Sequence, residues 1–387
     1  MKRENMMRRR RVDIVVAINA FAGQGKIEGI FDFQNEGHPW NINLMYAHDW
    51  ITPKALAKSI ASGTEGLILL SHPSSEIIRT VIRSGIPAVI EASRHETFPE
   101  SPRCIHIFCD PHSLASEAAT HLLSRQTFAD FCYVNTREEE IWSIDRGEEF
   151  REILKGRGYN CRITFPRKHN LARELKRLSR PAAVLAANDE TAKMVIEACQ
   201  SISLKVPDDI AVLGVDDDPT FCATSTPMIS SVAQDFRKCG YLASSALERM
   251  MNGETPSSDE IRYGAKGISI RKSTLSDSPH ALMVQKALNY IDENACRGIG
   301  AQQVCDYLGV SRRLIDLRFR EIHRISMHEV IIERRIEEVK KLLTTTEIPI
   351  SEITQRCGFA NRTHLKKIFY QRFGMTMRDY RNRNGEK

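Results

Sequence analysis

From Val12 to Gly267 short apolar runs alternate with stretches whose apolar residues recur at helical spacing. VDIVVAI (12–18), INLMY (42–46), GLILL (66–70), AVI (88–90), FCYV (131–134), AAVLA (182–186) and IAVLG (210–214) read as buried strands. Between them the spacing predicts helices over 26–35, 53–62, 74–84, 114–125, 145–156, 189–200 and 241–251. Near-continuous apolar strands alternating with helices imply parallel sheets covered on both faces. Roughly 250 residues of this pattern exceed one ordinary domain, so two α/β lobes are expected. A ligand would sit in the cleft between them, at the carboxyl ends of the strands.

The pattern changes at 269–280, SIRKSTLSDSPH, which is polar and rich in serine and reads as a linker. Beyond it the strand-like runs stop and helices are predicted over 282–294, 301–308, 311–322, 327–343, 351–357 and 361–372. The chain is thus expected to hold a basic extension (1–11), a two-lobed domain (12–268), the linker, and an all-α domain (281–387). Two segments of the last are alike, QQVCDYLGVSRRLIDLRFREI (302–322) and SEITQRCGFANRTHLKKIFYQRF (351–373). In each, a short helix meets a glycine (Gly309, Gly358), which permits a left-handed turn. A second helix then starts at a good N-cap, Ser311 or Asn361. Ile315, Phe319 and Ile322 fall on one side of the first such helix, and Leu365 and Phe369 on the matching side of the second. The opposite sides carry Arg313, Asp316, Leu317 and Arg320, and Thr363, Lys366, Lys367 and Tyr370, with Arg312 and Arg362 at the helix starts. Basic residues near the start of a helix suit entry into the DNA major groove. A single such helix reads more readily as an ordinary amphipathic helix with a solvated basic face; two copies joined by a long amphipathic helix favour DNA.

Charge sharpens this reading. The net charge of +6 is unevenly spread: 281–387 holds 20 Lys and Arg against 13 Asp and Glu, and the first eleven residues hold 6 against 1. The middle of the chain is therefore acidic, and the all-α domain has the excess that polyanion binding requires. With 42% hydrophobic and 27% charged residues the chain is of globular composition. No apolar run approaches the ~20 residues of a membrane span, and the start lacks the apolar core of a signal peptide, so a cytoplasmic location without membrane attachment is expected. The ten cysteines form no CxxC pair, which points to reduced, mostly buried thiols with neither metal nor disulfide framework.

Residues 282–382 resemble the AraC/XylS-type DNA-binding domain, through the 311–319 helix, the 335–343 segment, and ISEITQRCGF (350–359) followed by FYQRFGMTMRDYR (369–381). The chain departs from that pattern at Arg324, where the family usually has Gly, and at Met377, where it usually has Pro. Residues 12–267 resemble the effector-binding core of LacI/GalR-type regulators, which has the type I periplasmic-binding-protein fold. AANDETAKMVIEAC (186–199), VPDDIAVLGVDDDP (206–219), TPMISSVAQDFRKCGYLASSALERM (226–250) and, more weakly, IDRGEEFREIL (144–154) carry it. The two resemblances imply a sugar-responsive transcription activator binding double-stranded DNA as a homodimer, with RNA polymerase a further partner and no cofactor. The order of the two parts along the whole chain implies a pentose effector, D-xylose.

By motif, Arg146, Asn188 and Asp216 match positions that hydrogen-bond sugar hydroxyls in LacI-type cores; Glu91 and Trp142 are further candidates, Trp142 to stack on the sugar ring. Alternatives stand beside each. Asn188 or Asp189 could cap the following helix, Asp216 could belong to a solvated acidic turn, Arg146 could pair with Glu149, and Trp142 could be core. Two rival functions are weaker. A DNA-bound repair methyltransferase would need a catalytic Cys with a nearby His, and an exported sugar-binding protein would need a signal peptide and no DNA domain. GQGK (23–26) lacks the remaining residues of a phosphate-binding loop and reads as a turn opening the first helix.

Overall fold

The computed structural model describes residues 9–46, 51–71, 73–94, 101, 103–125, 127–138, 140–166, 170–256, 258–275, 279–323 and 325–384. Arg324, most of the 1–11 extension and the side chain of Ile322 fall outside this set. The chain divides into two compact units, residues 1–122 with 128–274, and residues 275–387 with 123–127.

The first unit begins with β1 (Arg11–Val16), α1 (Phe21–Asn35), β2 (Asn41–Tyr46), α2 (Pro53–Ala61), β3 (Gly66–Leu70), α3 (Ser75–Ser84), β4 (Ala88–Glu91), β5 (Cys104–Cys109) and α4 (Pro111–Arg125). It continues with β6 (Asp130–Val134), α5 (Ile141–Gly156), β7 (Cys161–Thr164), α6 (Leu171–Lys176), β8 (Ala182–Ala186), α7 (Asp189–Ser201), β9 (Ile210–Val215), α8 (Pro219–Cys222) and β10 (Ser230–Gln234). It closes with α9 (Phe236–Met251), β11 (Glu260–Tyr263) and β12 (Ala265–Ser269).

These strands form two sheets, ordered β11-β5-β4-β3-β1-β2 and β12-β10-β9-β8-β6-β7. All pairs in the first sheet are parallel. The second is parallel except at its edge, where β12 runs antiparallel to β10. The chain passes between the lobes three times, after β5, after β10 and between β11 and β12, and such crossings form the hinge of a two-lobed receptor.

Period-two side-chain alternation builds both cores of the first lobe. Val12, Ile14, Val16, Ile68, Leu70, Val89 and Ile107 face α1 and α9. Val15, Leu67, Leu69, Ala88 and Ile90 face α2 and α3 on the other side. Because both faces are covered, these strands are mostly apolar, as their sequence indicated, with Asp13 of β1 buried among them. Strands β5, β7, β10, β11 and β12 were not predicted. CIHIFC is interrupted by the half-buried His106, and SSVAQ carries serines at buried positions, so no apolar run marks either.

The linker boundary also differs from expectation. β12 extends to Ser269, and beyond it Ser273 and Thr274 are buried. Ser273 donates to Val212 O and accepts from Ser230 N at 2.8 Å, while Thr274 reaches Ser230 Oγ at 2.7 Å. Residues 269–274 therefore belong to the first unit. Their serine and threonine hydroxyls pair with other polar groups of the first unit and are not a sign of solvation.

The second unit is all helical: α10 (Pro279–Asn294), a 3₁₀ turn (Ala295–Arg297), α11 (Ala301–Leu308), α12 (Arg312–His323), α13 (Met327–Thr345), α14 (Ile350–Arg356), α15 (Arg362–Phe373) and α16 (Met377–Asn384). α13 has 19 residues and runs about 28 Å at 1.5 Å per residue. It serves two cores in succession. Its Met327, Val330 and Ile331 pack with α10, α11 and α12, and its Ile332, Ile336, Val339 and Leu343 pack with α14, α15 and α16. Arg335 lies buried at the junction, donating to Ala295 O at 2.8 Å and Ile299 O at 2.5 Å.

Helices α1 and α9 of the first unit approach so closely that only glycine fits. A Cβ at Gly240 would lie 1.9 Å from Lys26 O, and one at Gly29 would lie 1.8 Å from Arg237 O. Gly240→Ala should therefore destabilise the sensor by about 3 kcal/mol, the scale of overpacking a rigid interface. Gly156→Ala, whose Cβ would enter open space, should be neutral or mildly stabilising. Urea unfolding of the two variants measures the difference.

Candidate effector cleft and nucleic-acid interface

Parallel strands deliver their following loops to one edge, and the first unit uses this at the facing edges of its two sheets. A cavity of about 210 Å³ lies there. All five ligand candidates line it: Glu91 at the end of β4, Trp142 and Arg146 on α5, Asn188 after β8 and Asp216 after β9. Lys26, Ser93, Arg94, Asp145, Gln234 and Tyr263 join them without having been singled out from sequence.

Lys26 is buried on α1, its Nζ 2.6 Å from both Glu91 oxygens. Burial opposes its charge, but the Glu91 carboxylate outweighs that and raises the Lys26 pKa. The Tyr263 hydroxyl donates to Glu91 at 3.3 Å. The GQGK segment is therefore not a turn opening the helix but lies within it. α1 begins at Phe21, five residues before the predicted start, and its second turn carries an ammonium into the cleft floor.

Arg146 is buried on α5 and donates to Ala187 O. Its guanidinium lies 4.9 Å from the Trp142 ring centre, while its Nε is buried without a hydrogen-bond partner. It does not pair with Glu149, which takes His112 Nδ1 at 2.6 Å and Arg94 at 3.5 Å instead. Arg94 follows β4 of one lobe and Glu149 sits on α5 of the other, so their ion pair crosses the cleft mouth. Both are partly exposed, and such a pair contributes little to stability.

Asn188 is the N-cap of α7, its Oδ1 accepting from Thr191 N at 2.9 Å. The capping and cleft-lining readings hold together, since the cap uses Oδ1 and leaves the amide nitrogen. Asp189, expected as a cap, is instead the first helical residue, with its buried Oδ2 accepting from Asp218 N at 2.8 Å.

The three consecutive aspartates 216–218 are not a solvated turn. Asp216 lines the cleft and accepts from Gln234 Nε2 at 2.5 Å. Asp217 pairs with Arg271 at 2.7 Å, and Asp218 caps α8 through Thr220 N at 2.8 Å. Asp216 and Asp217 hold φ of 109° and 59°, conformations that cost non-glycine residues energy and cluster at working sites. Burial raises the Asp216 pKa to about 6 against the pull of Arg146. Burial and the Asp216 charge raise that of Asp189 to about 8.

In the second unit Gly309 and Gly358 both adopt left-handed φ, 66° and 71°. Ser311 Oγ accepts from Leu314 N at 3.3 Å and Asn361 Oδ1 from His364 N at 2.7 Å, so both second helices start at the expected caps. Ile315, Phe319, Leu365 and Phe369 are fully buried. Arg312, Arg313, Leu317, Arg320, Arg362, Thr363, Lys366 and Lys367 are exposed. Asp316 is half-buried and pairs with Arg312 at 3.5 Å.

Comparison with known proteins agrees with both halves. Residues 119–274 match the periplasmic binding protein-like domain and residues 304–383 the helix-turn-helix domain. The chain is 26% identical to the xylose operon regulatory protein of Escherichia coli K12, over 98% of each chain. With that of Haemophilus influenzae it shares 28%, over 76% of this chain and 79% of the relative. The chain is a sugar-responsive DNA-binding transcription regulator. The regulator superposes on the xylose-binding transcription activator XylR with a TM-score of 0.60, at 24% identity, covering 98% of this chain and 100% of that one. The lac repressor dimer bound to operator gives 0.53 at 16% identity, over 70% of this chain and 96% of that one. These two likenesses are of fold. The relatives are regulators by name, and the regulator is not an enzyme.

The raised carboxyl pKa values have a consequence for stability. Folded Asp189 keeps its proton to about pH 8, whereas its ordinary value is 3.8. The folded state therefore binds more protons than the unfolded state between these limits, and stability falls as pH rises from about 4 to 8. Asp216 acts in the same direction up to about 6. Asp189→Asn should flatten this slope in the sensor, read from urea midpoints across that pH range.

Proposed function

We propose that the cleft binds one neutral monosaccharide, D-xylose, and that the regulator then activates pentose catabolic genes from a site read by α12 and α15. The observation carrying the effector reading is the charge balance of the lining. Lys26, Arg94 and Arg146 face Glu91, Asp145 and Asp216 around an aromatic wall of Phe108, Trp142, Phe236 and Tyr263. Such a lining matches a ligand that offers hydroxyls in every direction and an apolar ring face, and it gives an anion no net attraction. About 210 Å³ is small beside the ~300–1,000 Å³ of drug-sized pockets, which suits a single sugar ring. The names of the full-length relatives and of the similar structure favour xylose over other sugars.

Sugar closing the lobes shifts the regulator only through unequal affinity for its two states. The lac repressor of similar fold is a dimer, which supports a homodimer here, and the activator named above supports activation through RNA polymerase. Function on genomic DNA supports a cytoplasmic location. Among the described residues, no helix is long and apolar enough to cross a membrane.

The two reading helices align with an offset of 50 residues, because Ile315 and Phe319 occupy the places of Leu365 and Phe369. At equivalent outward positions α12 offers Arg312, Arg313, Asp316, Leu317 and Arg320, and α15 offers Arg362, Thr363, Lys366, Lys367 and Tyr370. The first set mixes a carboxylate, an exposed leucine and arginines, groups that tell bases apart: Asp accepts from cytosine, Leu packs on a thymine methyl and Arg forks onto guanine. The adjacent lysines of α15 suit phosphates.

Calorimetry with D-xylose, L-arabinose, D-ribose, D-glucose and a pentose phosphate tests the effector. Xylose should bind tightest, and Arg146→Ala should weaken it about 100-fold, the scale of losing charged hydrogen bonds. Tight binding of the phosphate, or unchanged binding by a folded Arg146→Ala, would overturn the cleft assignment.

Mobility shifts on selected duplexes across a salt series test the reading face. Lys367→Ala should lower the salt slope by about 1 with little change in sequence preference. Leu317→Ala should leave the slope unchanged and relax selection at one position by about 1 kcal/mol.

A further inference from the structure

We propose that Cys296 and Cys357 form a peroxide-sensitive thiol pair whose disulfide staples the two helix-turn-helix halves of the DNA-reading unit. Cys296 lies in the 3₁₀ turn between α10 and α11, in the first half; Cys357 is the C-cap of α14, in the second. They stand 61 residues apart in sequence, yet the fold brings the backbone at one against the turn that carries the other. A Cβ at Gly358 would lie 2.7 Å from Gly298 N, 2.8 Å from Ala295 O and 2.9 Å from Cys296 O. Glycine at 358 thus lets the loop after α14 press onto the 295–298 turn and brings residue 357 against residue 296. Arg335, whose guanidinium ties down the same turn through Ala295 O and Ile299 O, adds positive charge beside Cys296.

The two thiols have unlike settings. Cys357 is fully buried, while Cys296 is half-buried and open to a small oxidant. The Cys357 thiol donates to the Cys296 sulfur, which together with Arg335 outweighs partial burial and lowers the Cys296 pKa to about 7; Cys357 is correspondingly pushed up. Burial raises the other eight cysteines, as at Cys132 (about 11), Cys104 and Cys199 (about 12 each). An accessible thiolate beside a second thiol is the arrangement of redox-sensing cysteines.

The chemistry balances with hydrogen peroxide as oxidant. The Cys296 thiolate attacks one peroxide oxygen and expels hydroxide, becoming a sulfenic acid. The Cys357 sulfur then attacks the Cys296 sulfur, its proton leaves with the hydroxyl as water, and the S–S bond forms. Two thiols are oxidised and one peroxide is reduced to two waters. The bridge ties the turn after α10 to the end of α14, which fixes the halves carrying α12 and α15 in a single setting.

The test uses the reduced, full-length chain. A short iodoacetamide pulse at pH 7 should label Cys296 ahead of Cys109 and Cys161, the other cysteines that are not fully buried, by at least tenfold. After one equivalent of hydrogen peroxide, non-reducing peptide mass spectrometry should find the 296–357 linkage, reversed by dithiothreitol. In Cys357→Ser the reaction should stop at a Cys296 sulfenic acid, trapped by dimedone. Absence of the linked peptide in wild type, or labelling of Cys296 no faster than of Cys109 and Cys161, would overturn the proposal.

Discussion

Everything at the effector cleft follows from strand direction. When neighbouring strands run parallel, each must be followed by a crossover, and the loops that begin the crossovers gather along one sheet edge. The two lobes turn these edges toward each other. Glu91, Asn188 and Asp216 each stand within two residues of a strand's carboxyl end, so residues distant in sequence line one cavity. The sheets are rigid because both faces are packed, and the freedom left to the lobes lies in the three crossing segments.

A second constraint acts within the cleft: charges removed from water must be answered nearby. Lys26 and Glu91 answer each other on the floor of one lobe, with Tyr263 closing the network. Arg146 is held by a backbone carbonyl and the Trp142 face, which fixes its direction without neutralising it. Asp216 is the balancing carboxylate, placed by a strained backbone immediately after β9. Strain at Asp216 and Asp217 turns an acidic run into three separate roles: lining, pairing and capping.

The DNA-reading unit solves a different problem, that of giving two small cores a common frame. Neither half buries much by itself, and α13 supplies apolar residues to each in turn. Arg335 and Gly358 strengthen the joint, one by hydrogen bonds across it and the other by the absence of a side chain. Within this frame the two reading helices keep the same buried pair of residues and differ in what they expose.

The sequence by itself determined the periodic parts. The apolar runs of β3 and β8 were located to the residue, the helical repeat was visible with its glycine turns and caps, and the charge excess of the second unit could be counted. These features are local, set by a residue and neighbours three or four positions away. Tertiary structure alone decided the rest. It recruited Lys26 from an unremarkable glycine-containing segment, assigned separate tasks to Asp216, Asp217 and Asp218, buried the serine-rich stretch through Thr274, and brought the segment of Cys357 against that of Cys296. Each of these depends on a partner far along the chain, and no spacing rule encodes a contact that only the closing of sheets and helices brings about.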